Sequence, residues 1–177
     1  AMNIKNIDRK HDSASFRYCI ANRWFGRPDP GATCISENVA SMHRAATGLV
    51  AGSLALTDRQ LDDDPALVLT EVYGVLYCDT QDDYPSVELR RRAANLMSPL
   101  MLAPDGSAVF DDFSLVVMYQ VGVSVVIAGT YLDDSNHAGL NSREHVNTTD
   151  VAVYRSARVR DVVGVFEQCL DWVESLE

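Results

Sequence analysis

The sequence predicts an α+β fold in a single domain, and three observations carry that reading. Residues 113–131 hold no charge and alternate along their length. Residues 156–176 repeat apolar side chains at intervals of three and four. Helical patterns cluster in the middle of the chain while strand patterns sit towards both ends, which argues against a regular βαβ alternation.

The alternating stretch comes first because the rest packs on it. Its odd positions are Phe113, Leu115, Val117, Tyr119, Val121, Val123, Val125 and Ile127, and its even positions run from Ser114 to Ala128 and are smaller or more polar. A period of two puts each set on its own face of a strand. The expectation is one long strand, or a hairpin bent at Gly122, forming the floor of an antiparallel sheet. Residues 113–132 could also cross a bilayer by length. However, Asp111-Asp112 and Asp133-Asp134 flank them, and no Lys or Arg is present to orient insertion. A strand is the better reading.

About four helices are expected around that sheet. Ser36 is placed as the cap of a helix running to about Leu56, with Val39, Met42, Ala46, Leu49 and Val50 at helical spacing. Asp64-Pro65 is a cap followed by proline at the first helical position. The segment after it, residues 66–78, is apolar nearly all round and fits a helix better than a buried strand. Pro85-Ser86 opens a third helix through Met101. Ser156 starts the closing helix, whose core face is Val159, Val162, Val163, Phe166, Leu170, Val173 and Leu176. Residues 14–25 read as a strand, residues 150–155 as a short edge strand, and the charged residues 1–13 as open to disorder. Ala1 before Met2 has the look of a tag remnant.

Composition bounds the function. The chain has 177 residues, of which 47% are hydrophobic and 23% charged, as in an ordinary globular protein. Its net charge of −10 disfavours nucleic acid and anionic membranes and favours a basic protein partner or plain solubility. The first 30 residues nevertheless carry +3, so the acidity lies in the remainder. With 13 Arg against 2 Lys and 18 Asp against 7 Glu, the composition suggests a GC-rich bacterial or phage genome. Four scattered cysteines without a CxxC pair read as reduced thiols in a cytoplasmic protein.

No motif fixes a reaction. There is no GxSxG elbow, no GxxxxGK[ST] or GxGxxG loop, and no HExxH helix. Cys34 and His43 are the best thiol–imidazole pair on offer, and their separation does not force them together. The loop 133–150 holds Asp133, Asp134, His137, Glu144 and His145, ligand types for a divalent metal. It fits a calcium loop in neither register: starting at Asp133 the glycine falls one place late, and starting at Asp134 His145 stands where Glu is required. Arg23, Trp24, Phe25 and Arg27 form an aromatic–arginine segment stiffened by Pro28 and Pro30. Trp and Arg are the residue types that anchor protein interfaces.

The expectation is therefore a non-enzymatic protein-binding module without cofactor, of the inhibitor, immunity, chaperone or assembly kind. Its contact would be Arg23, Trp24, Phe25 and Arg27. It would pair into a homodimer if the long strand lay on a sheet edge. The alternative is a small metal-dependent hydrolase or ligand-binding enzyme using His137, His145, Asp133, Asp134 and Glu144.

Overall fold

The computed structural model describes residues 2–26, 33–55, 64–70, 101–103, 114–132 and 149–175. Within them the chain builds two antiparallel four-stranded sheets rather than one. The first sheet contains β1 (Met2–Asp8), β2 (Ser13–Ile20), β3 (Arg23–Phe25) and β4 (Thr33–Cys34). β2 is its centre, pairing with β1 on one side and with β3 and β4 on the other. The second sheet contains β5 (Met101–Ala103), β6 (Ser114–Val121), β7 (Ser124–Tyr131) and β8 (Ala152–Ser156), in that spatial order. Helix α1 covers Ile35–Ala51 and helix α2 covers Val159–Glu174.

The alternating stretch is the β6–β7 hairpin, in register from Ser114 opposite Tyr131 to Val121 opposite Ser124. Its two-residue loop begins with Gly122 at φ +58°, a value that a glycine adopts without strain at the first position of a tight hairpin turn. Both faces of β6 are covered: Leu115, Val117 and Tyr119 on one, Val116 and Met118 on the other, are all buried. The smaller, more polar set is therefore buried as fully as the larger one. Both β6 and β7 lie inside the sheet, flanked by β5 and β8, so the edge that would have templated a homodimer is occupied.

A second hairpin, β2–β3, stands where a single strand over 14–25 was expected. Its loop is Ala21-Asn22, with φ of +48° and +65°. Two left-handed residues are the pattern of a type I′ turn, whose preferred sequence is Asn-Gly. Alanine there meets the Cβ penalty of the left-handed region. Replacing Ala21-Asn22 by Asn-Gly is expected to stabilise the protein by about 1 kcal/mol. For a domain of this size that raises the melting temperature by roughly 2–4 °C. A lower melting temperature would rule out this turn geometry.

Strand β1 begins at Met2, so the charged N-terminal residues are ordered by pairing with β2, from Met2 opposite Tyr18 to Asp8 opposite Ser13. Beyond β1 the Arg9 guanidinium donates to the carbonyl of Val173. A cation at a helix C-terminus is favoured by the dipole, and here it pins the first sheet to the end of α2.

Among the described residues three α-helical segments occur, α1, residues 65–70 and α2, beside a 3-10 turn at Arg9–His11. Asp64 caps the second, its Oδ1 accepting from the Ala66 N–H at 2.9 Å, as its place before Pro65 implies. The helix expected at 85–101 lies outside the described residues except for Met101, which begins β5. Helix α2 starts three residues later than expected because Ser156 is the last residue of β8. Its buried face is Val162, Val163, Phe166, Leu170 and Val173, as the spacing predicts. Leu176 lies outside the described residues.

Buried residues of both sheets, both helices and residues 65–70 form one apolar cluster. The sheets meet where Ile20 and Phe25 lie over Gly129. A Cβ at Gly129 would stand 2.9 Å from Phe25 Cε2 and 3.1 Å from Ile20 Cδ1. Glycine is required there because the Phe25 ring takes the volume of any side chain.

Candidate interaction surface

The β2–β3 hairpin sorts its side chains by register. Phe25 pairs with Tyr18 and Arg23 with Ile20, on the face that meets the second sheet. Trp24 pairs with Cys19 and so points the other way, as Arg17 does two residues earlier on β2. Lys5 and Asn3 of β1, opposite Ser15 and Arg17, belong to this outer face as well.

Trp24 is 37% exposed. Its ring carries the Arg17 guanidinium 4.9 Å from the centroid, a cation–π arrangement. Arg17 is held in turn by its Nε, which donates to the Gly26 carbonyl at 3.2 Å. The backbone beneath the ring is fixed too, since the Tyr131 hydroxyl donates to the Trp24 carbonyl at 2.7 Å. An exposed aromatic ring is thus pre-positioned by contacts from β2 and β7.

Phe25 has the opposite role. It is fully buried and stacks on Tyr131 with centroids 5.3 Å apart and planes at 29°. It is a core residue and offers nothing to a partner. Arg23 is committed internally as well. Its guanidinium binds the Asp150 carboxylate through both terminal nitrogens, at 2.5 and 2.9 Å, and reaches the Asp150 carbonyl at 2.8 Å. It also lies over the Phe25 ring, 5.6 Å from the centroid. The fork ties the hairpin to the segment leading into β8. Arg27 lies outside the described residues. Of the four residues expected at the contact, Trp24 is the one shown exposed, and Arg17, absent from the expectation, is its companion.

The thiol–imidazole pair is not brought together. The Cys34 thiol sits against the Asp12 carboxylate and the Ser36 hydroxyl, while His43 lies nine residues along α1, about 13 Å of helix rise away. Cys19, Cys34 and Cys169 take part in no disulfide. Among the described residues no group of three or more His, Cys, Asp or Glu could hold a metal ion. His137, His145, Asp133, Asp134 and Glu144 lie outside those residues. No helix among the described residues is long and apolar enough to cross a membrane. No protein-family model, curated protein or solved structure matches the chain.

Proposed function

We propose that the protein is a non-enzymatic binding module that engages a protein partner through the outer face of its first sheet, centred on Trp24 and Arg17. The observation that supports this reading is the exposed Trp24 ring, overlaid by an arginine and fixed from below by the Tyr131 hydroxyl. Large rings and arginines dominate binding energy at protein interfaces, and a group already held in place loses little entropy when it binds. The net charge of −10 favours a basic partner, but this face carries Lys5 and Arg17. The partner surface that fits it is acidic, with a recess for an indole. Opposite charges of this kind steer encounter and fix orientation more than they add affinity.

The test is the affinity of the natural partner for Trp24→Ala. The partner is first identified by native mass spectrometry as a protein co-purifying at fixed stoichiometry. Loss of about 2 kcal/mol, close to thirtyfold in Kd, is expected. Arg17→Ala should weaken binding less and reduce its salt dependence. Unchanged affinity in a well-folded Trp24→Ala protein would remove this face from the interaction.

A further inference from the structure

A second feature lies on the opposite side of the first sheet. Where that sheet, the second sheet and α2 converge there is a cavity of about 150 Å³. Its walls are Tyr18 and Ile20 of β2, Ile127 of β7, and Val162 and Phe166 of α2. All but Ile127 are buried among the core residues, and Ile127 packs against them. Tyr18 is almost wholly buried in this wall, and that burial pushes its phenol above the ordinary tyrosine range.

The open side is apolar as well. Tyr154 and Val165, 45% and 42% exposed, stand at the cavity. Single exposed apolar side chains are ordinary on a protein surface; two beside one apolar cavity form an entrance. Among the described residues one charged group lines it, Asp161, whose carboxylate pairs with Arg158 at 2.7 Å and approaches Arg160 at 3.9 Å. No cationic side chain among the described residues lines the cavity itself, and the Arg158 and Arg160 guanidiniums are engaged by Asp161.

We propose that this cavity is a binding site for a neutral apolar ligand of single-ring size. A dry apolar cavity of about this volume accommodates one benzene-sized ring. The sheet walls supply flat contact, and α2 closes over the edge. With the Arg158 and Arg160 guanidiniums engaged by Asp161, a carboxylate would enter this apolar site without a cation of its own, so a neutral ligand is favoured. The site does not include the Trp24 ring, although Cys19, the cross-strand partner of Trp24, is among its lining residues.

Titration of the full chain with toluene, indole and benzoate, read by methyl and amide NMR shifts, tests the proposal. Toluene and indole are expected to saturate, with shifts confined to Ile20, Ile127, Val162 and Phe166. Benzoate is expected to bind at least tenfold more weakly. Val162→Phe, which fills the cavity, and Val165→Asp, which places a charge at its exposed side, should each weaken toluene at least tenfold. Val165→Asp keeps the test valid if Val162→Phe fails to fold, and Trp24→Ala should leave toluene binding unchanged. Absence of saturation at the solubility limit of toluene, shifts scattered over the surface, or equal affinity for benzoate would overturn it. So would undiminished binding in folded Val165→Asp.

Discussion

Phe25→Ala is expected to destabilise the protein by about 3–5 kcal/mol, whereas Trp24→Ala, one residue earlier, should cost less than about 1 kcal/mol of stability. The contrast follows from the pleat. The two residues point to opposite faces of β3, and the Phe25 ring fills the space between the sheets. It lies over Gly129, against Ile20 and stacked on Tyr131. Truncation would leave a ring-sized void bounded by a glycine on one side, and a backbone strand cannot collapse into it as a flexible side chain could. The loss is thus the transfer term of a phenyl group plus a cavity term that relaxes poorly. Arg23 would also lose the ring under its guanidinium. In a thermal melt the cost amounts to a fall of roughly 10 °C for a chain of this size. A fall within a degree or two of that for Trp24→Ala would show that the sheets are not joined through this ring.

How much of this was legible depends on whether the signal is local. The β6–β7 hairpin could be read because alternation and a glycine at the bend occur together in one stretch. Helix α2 could be read because seven apolar residues repeat at helical spacing, and the start at Asp64-Pro65 because a cap and a proline are adjacent. The β2–β3 hairpin was not legible. Its turn is Ala21-Asn22, without glycine, so residues 14–25 looked like one strand. Once that turn is missed, nothing in the sequence says that Trp24 faces outward and Phe25 inward, or that Arg17 lies beside the ring. Strand β1 was hidden for another reason. It reads MNIKNID and turns only Met2 and Ile4 inward before the pairing breaks between Lys5 and Asp8, too short a pattern to register as alternation. The division into two sheets is a property of pairing between distant segments, and composition cannot report it. The face at Trp24 was therefore visible as residue types, while its geometry and its basic character had to come from the fold.

The cap of α1 shows the same limit and carries the second large effect. Ser36 looked like the capping residue. The cap position instead falls two residues earlier, at Cys34, whose side chain makes no capping bond. The cap comes from Asp12, more than twenty residues away. Its Oδ1 accepts from the Ser36 N–H at 3.0 Å, its Oδ2 from the Ser36 hydroxyl at 2.5 Å and from the Cys34 thiol, and its carbonyl from the Ile35 N–H at 3.1 Å. Asp12 reaches this position by adopting φ +50°, a left-handed conformation that Asp and Asn tolerate better than most residues. Asp12→Ala removes the acceptor, the negative charge at the positive end of the helix and the tolerance for that backbone at once. A loss of about 2–3 kcal/mol is expected. Asp12→Asn keeps the backbone and one acceptor, and should lose about 1 kcal/mol.

The thiol and hydroxyl bonds hold the Asp12 carboxyl below its ordinary pKa, and the His11 side chain does the same for the exposed Asp8. With both native pKa values depressed, the unfolded chain binds more protons than the native state in acid. Their stabilisation is complete above the unfolded value of about 4 and is lost as pH falls below it. Melting at pH 7 should therefore separate wild type from Asp12→Asn more widely than melting at pH 3. If the separation is the same at both pH values, the charge on Asp12 contributes nothing and the cap acts by hydrogen bonding alone.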